Sequence, residues 1–241
     1  MSAENSDTQE IVIIVIGLTG AGKSDFVNEA TGGKNAAAVS SGLTSSTAPS
    51  NIFPVSAESV PTGIPVYIVD TRGFDDTKSN ISDMDIWKDI THRLATIRAE
   101  NPKRLCGVIY LTSFQSGRLQ HSDSKNLSNF LTLYGDDVCR KVVFATNRGT
   151  QKQHDELKRK FPWYAMINKG SQIARFSGDR ASAMATVETV VRRLVADQRG
   201  IEGNEQNIAQ ELEKLGSSEQ KESEERQSGW KKLFSKLRFW K

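Results

Sequence analysis

The segment Gly17-Leu18-Thr19-Gly20-Ala21-Gly22-Lys23-Ser24 constrains this 241-residue chain more than any other. It follows directly on six β-branched residues, Ile11 to Ile16, and runs into a helix start. A buried strand, a turn of pattern G-x-x-x-x-G-K-S and a helix together make a phosphate-binding loop. Glycines let consecutive backbone N–H groups curl around an anion without Cβ clashes. The helix aims its N-terminus, the positive end of its dipole, at the same anion. The candidate nucleotide contacts are therefore Gly17, Thr19, Gly20, Ala21, Gly22, Lys23, Ser24 and Asp25. Lys23 is placed to reach the β- and γ-phosphates, and Ser24 to ligate Mg²⁺.

A second motif lies where the apolar run Pro65–Asp70 meets Thr71-Arg72-Gly73-Phe74-Asp75-Asp76. A carboxylate at the C-terminal end of such a strand holds Mg²⁺ through water, which assigns that task to Asp70. Gly73 offers its N–H to a γ-phosphate, because glycine lets the backbone come close. Between the two motifs lies Gly42-Leu43-Thr44-Ser45-Ser46-Thr47. A switch threonine belongs in this interval, with a hydroxyl for Mg²⁺ and an N–H for the γ-phosphate. Thr44 and Thr47 are both candidates.

Along the chain, helical and strand patterns alternate. Residues 1–9 read as a polar lead. A helix is expected from Gly22 to about Thr31, stopped by Gly32-Gly33, and then a loop over 34–50. Ile52–Val55 suits an edge strand because of Pro54. Residues 83–99 place Ile86, Ile90, Leu94 and Ile97 on one helical face. Leu105–Leu111 reads as a strand, and Ser122 as the cap of a helix through Tyr134. Lys141–Thr146 reads as a strand, 152–165 as an interrupted helix, Gln172–Phe176 as the last strand and 179–199 as a long helix. This alternation implies a mostly parallel sheet covered on both faces.

The net charge of +3 carries no argument for nucleic acid. The lead does not resemble a targeting peptide, and the longest apolar runs fall far below the roughly 20 residues that span a bilayer. Cys106 and Cys139 read as free thiols in a reducing compartment, so a cytoplasmic protein is expected. His92, His121 and His154 lack metal-ligand spacing.

With these motifs in place, the chain resembles the septin-like, immune-associated (avirulence-induced) branch of P-loop GTPases, particularly G-domain proteins of filamentous fungi. The resemblance rests on Gly17–Ser24, Gly42–Thr47, Asp70–Thr77, Leu105–Leu111 and Lys169–Phe176. It implies a Ras-like G domain over residues 10–200, GTP or GDP with Mg²⁺ as ligands, and Thr47 rather than Thr44 as the switch residue. It also implies that Asn147-Arg148-Gly149-Thr150 stands where Asn/Thr-Lys-x-Asp reads guanine, and that Gly170-Ser171 contribute backbone contacts to the base. Arg148 replaces a lysine that packs on the base, and a guanidinium also stacks. Thr150 replaces the aspartate, whose loss costs ~1–3 kcal/mol of discrimination by analogy with other base-edge contacts. Arg72 stands where the family carries proline. Phe74 stands where Ras-type enzymes carry the glutamine that orients water. Relatives dimerise across the nucleotide face, so Arg118 is a candidate catalytic residue supplied in trans, beside Lys23 and Thr47, though it reads more readily as a solvated surface arginine.

Beyond residue 200 the composition changes. Residues 201–228 read as a polar charged helix or linker, with a brief Ile208, Leu212, Leu215 stripe too short for a sustained coiled coil. In residues 229–241, Trp230, Leu233, Phe234, Leu237 and Trp240 share a helical face ringed by Lys231, Lys232, Lys236 and Arg238. Such a tail suits an anionic membrane surface or a protein partner, or packs back on the domain. The reading is a guanine-nucleotide switch with slow or dimer-dependent hydrolysis. The alternatives are a non-hydrolysing scaffold tethered by its tail and an ATP-binding relative.

Overall fold

Among the described residues six strands form one sheet in the order β2-β3-β1-β4-β5-β6. The computed structural model describes residues 9–33, 52–56, 63–75, 82–101, 103–114, 119, 121–147 and 149–198. The elements in chain order are β1 (Ile11–Gly17), α1 (Lys23–Thr31), β2 (Ile52–Pro54), β3 (Val66–Asp70), α2 (Asp83–Glu100), β4 (Leu105–Ser113) and α3 (His121–Tyr134). A 3-10 turn (Asp137–Lys141) then leads to β5 (Val142–Asn147), α4 (Gln151–Leu157), α5 (Trp163–Asn168), β6 (Gln172–Phe176) and α6 (Arg180–Gln198).

β1 pairs in parallel with β3 and β4, so both its edges are hydrogen-bonded. Its alternation sends Val12, Ile14 and Ile16 into one core layer and Ile11, Ile13 and Val15 into the other. The first layer holds Trp87, Ile90, Leu127 and Phe130 of α2 and α3. The second holds Phe26 of α1 and Val187, Val190 and Leu194 of α6. Burial on both faces explains why β1 is an unbroken aliphatic run. β2 is antiparallel to β3 at the sheet edge, where Pro54 leaves no central ladder position without a donor.

Arg104 closes the bottom of this frame. Its side chain is 5% exposed and bonds Glu10 (2.6 Å), Glu100 (2.9 Å) and the Ile97 carbonyl (2.9 Å). It thereby ties the chain entering β1 to the end of α2 and the start of β4.

Two expectations about helices are corrected. Ser122 lies inside α3, which starts at His121, and its hydroxyl donates to Asp75 Oδ2 (2.7 Å) instead of capping the helix. The 152–165 helix is two helices separated by a turn at Lys158–Pro162. Cys106 is half-buried, whereas Cys139 is fully buried. Burial pushes the Cys139 thiol up to about 11, so it is inert as a nucleophile.

Candidate functional site

The parallel strands bring Gly17, Asp70, Ser113 and Asn147 to one edge of the sheet, the C-terminal edge where open α/β sheets take their ligands. The turn after β1 is shaped by glycine. Gly22 is the N-cap of α1 at φ 96°, and a Cβ there would meet Asn147 Nδ2 at 2.4 Å. Lys23 folds back over the loop and donates to the carbonyls of Gly17 (3.2 Å) and Leu18 (2.9 Å). Its ammonium is thus held at the mouth of the loop. Ser24 and Asp25 are exposed in the first helical turn.

Asp70 ends β3 opposite Ser24, whose Oγ donates to Asp70 Oδ2 at 3.0 Å. The other oxygen, Oδ1, is buried and has no hydrogen-bond partner. Burial raises the Asp70 pKa, opposed by the Ser24 hydrogen bond and the Lys23 charge. A hydroxyl and a carboxylate with an unfilled oxygen suit a hydrated Mg²⁺, which takes one or two protein ligands plus waters and phosphate oxygens. Among the described residues no cluster of three or more His, Cys, Asp or Glu offers an all-protein metal cage.

The segment after Asp70 is clamped onto the loop. Thr71 Oγ1 donates to the Val15 carbonyl (2.7 Å). The Thr19 N–H donates to the Phe74 carbonyl (2.8 Å), and the Phe74 N–H to the Gly17 carbonyl (3.2 Å). Gly73 lies so close that a Cβ on it would sit 2.5 Å from Thr19 Cα. Phe74 is 0% exposed and packs on Trp87 at 4.6 Å between ring centroids. Its position is a core position, so it presents no group to water. Asp75, at φ 57°, donates its N–H to Asp83 Oδ1 (2.7 Å).

At the end of β5, Asn147 Nδ2 donates to the Ala21 carbonyl (2.9 Å), fastening β5 to the phosphate loop. Thr150 is the N-cap of α4, in a capping box with Gln153. Its hydroxyl satisfies the helix end, which accounts for a threonine here in local terms. Phe114 packs against Gly149, and an Arg175 guanidinium nitrogen donates to the Gly149 carbonyl (3.0 Å).

Gly170 and Ser171 are not part of this constellation. They precede β6, at the N-terminal edge of the sheet, where the Ser171 hydroxyl donates to the Cys139 carbonyl (2.7 Å). The loop after β6 at the phosphate-loop edge is Ser177-Gly178-Asp179, since Phe176 pairs with Asn147. A strand's C-terminal end is the relevant end in a parallel sheet, and that rule locates this loop from the strand boundaries alone. Thr44, Thr47, Arg118, Arg148 and the segment 229–241 lie outside the described residues.

A buried pair went unnoticed in the sequence. Asp123 of α3 is 1% exposed and accepts from the Tyr110 hydroxyl at 3.1 Å. Burial pushes its carboxyl up to about 7, with Tyr110 and the Lys23 charge opposing.

No protein-family model and no curated protein matches this chain. Solved structures do match in fold. The nucleolar GTP-binding protein 1 of Plasmodium falciparum aligns over 91% of this chain and 100% of its own, at 15% identity and a TM-score of 0.50. Toc33 from Arabidopsis thaliana, in complex with Mg²⁺ and GMPPNP, aligns over 79% of this chain and 86% of its own, at 15% identity and a TM-score of 0.52. A dimerization-deficient mutant of Toc33 aligns over 80% and 87%, at 14% identity and a TM-score of 0.53. The fold is that of the Ras-like G domains of P-loop GTPases.

Proposed function

We propose that this chain is a guanine-nucleotide-binding switch protein with slow or dimer-dependent GTP hydrolysis, in the septin-like, immune-associated branch of P-loop GTPases. The observation that carries the reading is the Ser24–Asp70 pair with its unpartnered buried Asp70 oxygen, set beside Lys23 at the mouth of a glycine loop. Lys23 and the loop N–H groups bind and orient the phosphates. Ser24, Asp70 and Thr47 would hold Mg²⁺, Asp70 through water. Bound there, Mg²⁺ supplies charge neutralisation at the β- and γ-phosphates. Gly73 and Thr47 would contact the γ-phosphate, and Asn147, Arg148 and the Ser177-Gly178 loop would contact the base. Arg118 acts across a homodimer, where a guanidinium stabilises developing charge.

A second reading, the pseudo-GTPase scaffold, draws on two observations. Phe74 is committed to the core, and Thr150 to capping α4. Neither residue is free for the chemistry of a rapid, guanine-selective GTPase. Both readings place the protein in the cytoplasm. No helix among the described residues is long and apolar enough to cross a membrane.

The test is a titration of the full chain with fluorescent GTP, GDP and ATP analogues in Mg²⁺, with phosphate release followed over increasing protein concentration. Guanine-selective binding with release that accelerates at high concentration supports the switch. Binding without turnover supports the scaffold, and effective competition by ATP supports an adenine-binding relative. Retention of affinity in Lys23→Ala would overturn the site itself.

A further inference from the structure

Among the described residues two large hydrophobic side chains are strongly exposed, Phe161 at 68% and Tyr164 at 52%. Phe161 lies in the turn between α4 and α5, directly after Lys158-Arg159-Lys160, and Tyr164 in the first turn of α5. The turn is well held. The N–H groups of Arg159, Lys160 and Tyr164 donate to the carbonyls of Glu156 (3.0 Å), Leu157 (3.1 Å) and Lys160 (2.8 Å). Leu157, Trp163 and Met166 flank it and are each 0% exposed. These neighbours fill the core beneath the turn, so Phe161 and Tyr164 have no interior site to occupy. Lys158 pairs with Asp155 at 2.9 Å. Arg159 and Lys160 make no ion pair or side-chain hydrogen bond among the described residues.

We propose that this turn docks on an anionic lipid surface, with Phe161 and Tyr164 entering the headgroup layer and Arg159 and Lys160 facing acidic headgroups. Aromatic rings favour that depth, and unpaired cations beside them match the surface in charge. Because the turn is already ordered, docking immobilises little that is free. Area argues against a stable protein contact here. Two aromatic side chains offer at most roughly 150–250 Å² each, against about 800 Å² per partner in a specific protein interface. A charged plane adds attraction with each cation and needs no such area. The placement is compatible with nucleotide exchange. α4 leaves the phosphate-loop edge of the sheet, and α5 leads into Ser171 at the opposite edge.

Co-sedimentation of the full chain with phosphatidylcholine vesicles, with and without phosphatidylserine, tests this. The wild type is expected to partition onto the phosphatidylserine vesicles and to lose most of that binding in high salt. F161S/Y164S is expected to weaken partitioning about tenfold or more. R159S/K160S is expected to weaken it about fivefold for each cation removed. All four side chains are exposed, and an unchanged thermal melt verifies the fold of each variant. Wild-type partitioning by both variants would overturn the proposal, placing lipid attachment elsewhere in the chain. No partitioning by the wild type would equally overturn it, and would leave the turn as a contact for a protein.

Discussion

At the residue scale, the site depends on side chains held in unusual surroundings. Gly22 and Gly73 are fixed by contact: one abuts the Asn147 amide, the other the Thr19 backbone. Gly73→Ala pushes the Asp70–Asp75 segment off the phosphate loop, because Thr19 backbone atoms cannot yield as a flexible side chain does. Its expected result is at least a tenfold loss of nucleotide affinity in equilibrium titration, with the melting temperature lowered by a few degrees. Asp123 illustrates a different cost. Its pKa of about 7 in the fold exceeds the unfolded value of 3.8, so the folded protein keeps a proton that the unfolded chain releases between those values. Stability from this group is therefore fully present below about pH 4 and is lost as pH rises through 7, by on the order of 4 kcal/mol. Asp70, raised by burial, acts in the same direction. Asp123→Asn keeps the shape and removes the charge. It is expected to stabilise the protein at pH 8 and change little below about pH 4, as read by urea unfolding at pH 8 and pH 3.5.

At the element scale, the hydrophobic spacing of α2 was legible, and Ile86, Ile90 and Ile97 are indeed buried. Trp87, on the same helix, was not anticipated as the ring that receives Phe74. Nothing in the spacing of α2 says which neighbour Trp87 will meet. The ends of elements were harder to read. Ser122 has the chemistry of a cap, yet the helix begins one residue earlier and the hydroxyl serves Asp75. Thr150 stands where the resemblance puts the guanine-reading aspartate, and its hydroxyl closes a capping box. Arg104 joins three elements through two carboxylates and a carbonyl. Removing it takes away the guanidinium that both Glu10 and Glu100 contact. Arg104→Ala is expected to cost about 3 kcal/mol of stability in urea unfolding, with the effect shared by the start of β1 and the end of α2.

At the scale of the whole molecule, one sheet edge gathers the phosphate loop, the Ser24–Asp70 pair and the loops after β5 and β6, while the opposite edge carries Gly170 and Ser171. Gly170→Ala is strained, since φ is 109°, and is expected to lower stability without changing nucleotide affinity. A selective loss of affinity in that variant would return this segment to the base site. For the complete protein, an active homodimer predicts that specific phosphate release rises with concentration and that Arg118→Ala flattens the rise while leaving GDP affinity intact. Stopped or steady-state phosphate release over a hundredfold concentration range reads this directly.

Local chemistry settled the phosphate loop, the strand that feeds it and the alternation that builds a parallel sheet. Glycine spacing, β-branched runs and the Lys23-Ser24 pair each act over a few neighbouring residues, so they are written along the chain. Tertiary structure decided which residues meet across it. It turned Phe74 into core, gave Asp123 a buried tyrosine partner, and left Phe161 outside because Trp163 and Leu157 had filled the interior. It also put Ser177-Gly178, rather than Gly170-Ser171, at the edge of the sheet where Asn147 lies. Such outcomes depend on strand order and register, which are set by the packing of segments far apart in sequence.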